Sequence, residues 1–155
     1  MTHSISVASL HAKTIKFLSY RQRSEKEIKD YLVRKKANDT DIALVIELLK
    51  NERLIDDKMF AKAWFSSRVY SKPKSKRLIS IELSKKGISK EIIEDVLGDQ
   101  ETYISDEDLA KKIVEKKITS YKNLSRDQLY EKLVGQLGRR GFNWETIKKV
   151  LAHYT

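Results

Sequence analysis

The chain contains no cysteine, one proline, five glycines and three histidines in 155 residues. Without thiols there is neither a disulfide framework nor a thiolate metal site, and nothing calls for an oxidising compartment. So little glycine and proline leaves scant material for β-turns, and no segment alternates apolar and polar residues for long, so helices must dominate. His3, His11 and His153 stand near the chain ends at no metal-ligand spacing. The phosphate-cradling GxxxxGK(S/T) loop, the GxSxG elbow and the HExxH pair are all missing. No enzyme, cofactor or small-molecule substrate is expected. No run of about 18 apolar residues could span a bilayer, and the opening MTHSISVASLHAK has no cationic segment followed by an apolar stretch. The expected compartment is the cytoplasm, with no membrane partner.

Acids are in short supply relative to bases. There are 32 Lys and Arg against 22 Asp and Glu, for a net charge of +10, a balance suited to phosphates or an acidic protein surface. A hydrophobic fraction of 40% is too high for a disordered tail, and 35% charged residues supply an ample polar exterior. The excess is local. Residues 1–54, 55–98 and 99–155 carry +4, +4 and +2, yet Arg68 to Lys90 alone holds eight bases and one acid, Glu82.

Apolar residues recur at helical spacing in Ile42, Val45, Ile46 and Leu49, in Ile28, Tyr31 and Leu32, in Phe60, Ala63 and Trp64, in Leu129, Leu133 and Leu137, and in Ile93 and Leu97. Trp64 and Trp144 are read as core. Tyr20, Tyr70, Tyr103 and Tyr121 fall near helix ends, where the sequence leaves their exposure open. Ser24 with Glu27, Ser105 with Asp108 and Ser125 with Gln128 fit capping boxes, and Ser89 and Asn143 are simpler N-caps. Gly87, Gly98 and Gly141 each follow a helical segment, as a left-handed C-terminal residue would. Asp56 and Asp57 are adjacent acids just before an apolar helix, which reads as capping rather than metal binding.

An internal repeat emerges. SEKEIKDYLVRKKAN from Ser24 aligns with SKRLISIELSKKGIS from Ser75, an offset of 51 residues. LSKKGIS resembles LGRRGFN, and FAKAWF resembles LAKKIV. Three units of three helices follow, over 1–54, 55–98 and 99–155. Their expected fold class is all-α, a tandem array of three-helix repeats that stack into an elongated, curved body.

Outward lysines such as Lys58 or Lys111 usually serve only solubility. Lys72, Lys74, Lys76 and Arg77 are different, because they precede or open a helix spanning Arg77–Lys86, where cations oppose the helix dipole. A sequence that tolerates this has a use for the charge. Lys85, Lys86, Arg139 and Arg140 close equivalent helices, where the dipole welcomes cations and the structural reading is stronger.

RQRSEKEIKDYL, LIDDKMFAKAWFSSR and LISIELSKKGISKEIIEDVL, in this order, resemble the RecX family, bacterial regulators of the RecA recombinase. The matching positions are Arg21, Arg23, Ser24 and Glu27, then Asp56, Asp57, Phe60 and Ala61, then Leu83, Lys86 and Gly87. Most of these read physically as caps, core and helix ends. The first unit departs from the family by placing Lys36 where a glycine is usual, so that Lys36 must turn left-handed or end its helix differently.

The resemblance implies a non-enzymatic regulator, acting as a monomer, that binds the RecA nucleoprotein filament and single- and double-stranded DNA, suppressing ATP hydrolysis, strand exchange and coprotease action. The expected contact residues are Arg68, Lys72, Lys74, Lys76, Arg77, Lys85, Lys86 and Lys90, joined by Arg21, Arg23, Arg139 and Arg140. Two other readings stay open: a helical DNA- or RNA-binding module with no RecA target, and a scaffold whose basic surface docks an acidic protein.

Overall fold

The structure is a computed structural model that describes residues 5–99 and 104–155. Its helices are α1 (Val7–Tyr20), α2 (Glu25–Arg34), α3 (Asp39–Asn51), α4 (Asp57–Tyr70), α5 (Lys76–Lys85), α6 (Lys90–Leu97), α7 (Asp106–Ile118), α8 (Arg126–Arg139) and α9 (Trp144–Leu151), with a 3-10 turn at Thr119–Tyr121. There is no strand among the described residues. His3 and Tyr103 lie outside them.

Helix starts follow the short polar residues closely. Ser24, Ser105 and Ser125 close capping boxes with Glu27, Asp108 and Gln128. Asn143 accepts from the Thr146 N–H at 2.9 Å, and Ser89 from Ile92 at 3.3 Å. Each such cap is worth about 1 kcal/mol to its helix. Asp56 caps α4, accepting from the N–H groups of Lys58 and Met59.

Packing divides the chain into two compact units, Met1–Ala63 with Leu83–Ile93, and Trp64–Glu82 with Glu94–Thr155. In the first, α1, α2 and α3 enclose Leu10, Ile28, Leu32, Val45 and Leu49, all fully buried, with Ile42, Ile46 and Ile55 beside them. In the second, α7, α8 and α9 pack together and bury Leu109, Ile113, Val114, Leu133, Leu137, Val150 and Leu151. Burying each such side chain contributes about 1.5–3 kcal/mol.

Each unit contains a comparable pair of contacts between helix ends, with the serine donating from its hydroxyl in one and from its backbone N–H in the other. In the first, the Ser24 hydroxyl donates to the Lys86 carbonyl at 2.7 Å, and the N–H of Glu25 donates to Asp57 Oδ1 at 2.8 Å. In the second, the Ser75 N–H donates to the Arg140 carbonyl at 3.0 Å, and Lys76 N–H to Asp106 Oδ1 at 2.9 Å. The start of one helix is thus satisfied by the carbonyl end of a second and the carboxylate of a third. Gly87 and Gly141 sit at these carbonyl ends with φ of +79° and +85°. A Cβ there would stand 2.5 Å from Lys26 Cβ in one case and 2.6 Å from Ser75 Oγ in the other.

Lys36 does adopt the left-handed conformation, at φ +62°. The Ala37 N–H reaches back to the Leu32 carbonyl and that of Lys36 to Val33, the same closure that Ile88 and Gly87 make onto Leu83 and Ser84. Three expectations are corrected. Gly98 does not turn left-handed, since Gly87 and Gly141 are the positive-φ glycines among the described residues. Trp144 is 52% exposed, because it is the first residue of α9 and precedes that helix's buried face of Ile147, Val150 and Leu151. On α4, Ala63 is exposed and Trp64 half-buried, while Phe60, Ala61, Phe65 and Val69 are buried.

Candidate nucleic-acid interface

The second unit gathers cations at helix ends. α4 ends at Tyr70, and the segment from Ser71 to Lys74 leads to α5. Lys116 and Lys117 lie in the last turn of α7, and Arg140 caps the C-terminus of α8. Together Ser71, Lys72, Pro73, Lys74, Ile113, Lys116, Lys117 and Arg140 line an open depression of about 360 Å3. Five of the eight lining residues are cationic and none is acidic. Carbonyl ends of helices attract cations in any protein, but three such ends here supply one concave wall. Arg140 is held in place by donating from Nη1 to the Gln136 carbonyl at 3.0 Å. Lys72, Lys116 and Lys117 form no ion pair among the described residues. Such a surface can neutralise successive phosphates of a polyanion.

The wall is organised by Glu82 on α5. Its Oε2 accepts from Trp64 Nε1 at 2.9 Å and from Arg68 Nε at 2.8 Å, and its Oε1 from Lys74 Nζ. The Arg68 guanidinium also lies 4.6 Å from the centre of the Trp64 ring. Burial opposes ionisation of Glu82, but hydrogen bonds from Lys74, Arg68 and Trp64 outweigh it and hold the carboxyl below its ordinary range.

The expected contact residues therefore separate. Lys72, Lys74 and Arg140 come together. Arg68 is occupied by Glu82 and Trp64. Lys76 turns inward, donating from Nζ to the Leu97 carbonyl at 3.2 Å while Asp106 holds its N–H. The dipole cost of opening α5 with a cation is thus offset by a carboxylate from α7. Arg77 and Arg139 are exposed and lie outside that depression.

In the first unit, Arg23, Lys26, Arg34, Lys85 and Lys86 share a second depression of about 260 Å3 with Phe17, Glu27 and Asp30. Here acids intervene. Lys26 pairs with Asp30 at 2.8 Å, and Lys86 with Glu27 at 2.9 Å. Arg21 also donates to Glu27. Arg23 stacks on Phe17 with its guanidinium 4.0 Å from the ring centre, and Phe17 stacks on Tyr31 at 4.2 Å. Lys90 is exposed at the start of α6. Tyr20 and Tyr70 are exposed, and Tyr121 half-buried.

Glu27 carries a pH consequence. Burial works against its ionisation, but hydrogen bonds from Arg21, Lys86 and the Ser24 N–H prevail and bring the carboxyl down to about 2. A carboxyl lower in the folded than in the unfolded state stabilises above its unfolded value and loses that contribution as pH falls toward the folded one. Solvent access screens the shift, leaving about 1–2 kcal/mol. Urea midpoints should therefore fall between about pH 4.5 and pH 2, and Glu27→Gln should flatten that fall. An equally steep fall in the variant would assign the acid sensitivity elsewhere.

Sequence reasoning missed Lys116, Lys117, Lys26 and Arg34. One signal was available: the alignment of FAKAWF with LAKKIV puts Lys117 at the position of Arg68.

Three family models match the chain: the first three-helix domain of RecX at residues 12–49, the second at 56–97 and the third at 105–151. A Regulatory protein RecX of Finegoldia magna is 37% identical over 142 residues, covering 91% of this chain and 69% of its own. One of Oceanobacillus iheyensis is 36% identical over 140 residues, covering 89% and 50%. The chain spans about half the length of the first curated relatives it matches. The crystal structure of RecX from Lactobacillus salivarius superposes with a TM-score of 0.74 at 25% identity, covering 95% of each chain. A second, of regulatory protein RecX, gives 0.73 at 25% identity, covering 93% of this chain and 70% of its own. The order of the three domains, the all-helical fold and these relatives agree: the chain belongs to the RecX family of bacterial regulatory proteins.

Proposed function

We propose that this chain is a non-enzymatic negative regulator of the RecA recombinase. It binds the RecA–DNA filament as a monomer in the cytoplasm and limits filament growth, ATP hydrolysis and strand exchange, so modulating recombination, repair and the SOS response. The observation that carries the reading is the succession of all three RecX domains along one chain. The acid-free depression of the second unit supports a phosphate-facing surface within it. Lys72, Lys74, Lys116, Lys117 and Arg140 meet the DNA backbone there, and the exposed Arg77, Lys85, Lys90 and Arg139 add weaker, more screened attraction.

The test is ATP hydrolysis by the cognate RecA on single-stranded DNA, with this protein titrated in at several DNA excesses. Inhibition well below the RecA concentration and insensitive to added DNA is the expected result. No effect, or inhibition that excess DNA abolishes, would replace the proposal with a nucleic-acid-binding module that merely competes for DNA.

A further inference from the structure

We propose that Glu82 is an internal counter-anion that restrains the basic depression of the second unit, holding Lys74 against itself until a nucleic-acid phosphate draws it away. This rests on the phosphate-facing reading of that depression.

Glu82 is the one acid between Arg68 and Lys90, and it is not at the surface: its side chain is 17% exposed. One carboxylate collects an indole N–H, a guanidinium and an ammonium, from α4 and from the segment before α5. That donor set is the kind that binds a phosphate group. Arg68 is fixed on two sides, by the carboxylate and by the Trp64 ring, and its side chain is 16% exposed. Lys74 is different. It is more exposed, at 28%, and it also lines the depression with Lys72, Lys116, Lys117 and Arg140. An ammonium has three donors on a flexible stem, so Lys74 can turn toward a phosphate without unfolding anything. What opposes this is the attraction of Glu82, lost or shared when Lys74 turns. The lowered ionisation range of the Glu82 carboxyl agrees with its being charged in the resting protein.

The consequence is that the surface binds below its full strength. Glu82→Gln removes the charge but keeps an amide oxygen that can still accept from Trp64 and Arg68. It should bind a short fluorescein-labelled oligothymidylate about three- to tenfold more tightly at low salt, as expected for one partly screened charge. The slope of log affinity against log salt should steepen by about 0.7, the increment for one more cation engaged on a single strand. Equal or weaker binding by a variant with unchanged helix content would overturn the proposal and leave Glu82 as a structural tie.

A second comparison asks whether Glu82 acts through Lys74. In the Lys74→Met background, Glu82→Gln should no longer steepen the salt slope, because the ammonium it would release is absent. A slope that steepens equally in both backgrounds would overturn the proposal by itself. If neither Lys72→Met nor joint replacement of Lys72, Lys116 and Lys117 weakens binding, the phosphate-facing reading itself fails. Weakening by those variants with no gain from Glu82→Gln removes only the role of Glu82.

Discussion

Alanine at Lys72, Lys116 and Lys117 together is expected to weaken binding of single-stranded DNA by about one to two orders of magnitude at low salt, and to reduce the salt slope by about two. The three side chains carry no ion pair among the described residues, so removing them uncovers no buried carboxylate. They lie on one wall with Lys74 and Arg140, so a polyanion meets all of them at once. Lys116 and Lys117 also close α7, and losing them there costs the helix about 0.3–1 kcal/mol each through its dipole. Affinity should therefore be measured beside a thermal melt. Inhibition of RecA ATP hydrolysis should decline in parallel if the depression is what the filament meets. Retained DNA affinity with intact folding would direct the search to the first unit's depression around Arg23, Arg34 and Lys85.

Gly141→Ala is expected to lower stability by about 2–5 kcal/mol, as a shift in the urea midpoint. Two effects combine. The backbone there has φ +85°, where a side chain costs about 1–2 kcal/mol. The added Cβ would also lie 2.6 Å from Ser75 Oγ and 2.9 Å from Leu78 Cβ, and overpacking of that kind adds about 1–3 kcal/mol. Ser75 is fully buried, so it has no solvent-filled space to retreat into. The informative control is Lys36→Gly, at the corresponding point of the first repeat with φ +62°. That change should raise stability by up to about 1 kcal/mol, after the extra unfolded-state freedom of glycine is subtracted. A Gly141→Ala protein as stable as the parent would mean that α8 can shift away from Ser75 at little cost.

Helix starts were readable because a capping box needs only two residues three apart, and every such pair that was singled out closes as expected. The repeat was readable because Leu32, Leu83 and Leu137 hold the same buried position. The interface was only half readable. Helical periodicity tells which side of α7 is apolar, but not that its last turn approaches Lys72 and Lys74, more than forty positions earlier in the chain. Local charge density overstated Lys76, whose ammonium folds onto the Leu97 carbonyl. It also gave no hint that Glu82, a lone acid among bases, would gather Trp64, Arg68 and Lys74. Trp144 misled for a simpler reason: a large apolar residue directly after an N-cap lies at the rim of its helix's buried face, not within it.

The hydrogen bonds that join helix ends bear on how this chain can be dissected. α2 belongs to the first repeat, yet the carboxylate that satisfies its Glu25 N–H is Asp57, and the carbonyl that accepts from its Ser24 hydroxyl is Lys86. A fragment cut at residue 54, where the sequence period suggests a seam, would leave that helix without either partner and would strip Glu27 of Lys86. The interval at which the sequence repeats and the compact unit within which these contacts close are thus out of step. A first module that keeps these bonds carries Asp57 and the stretch from Leu83 to Ile93 along with its own three helices.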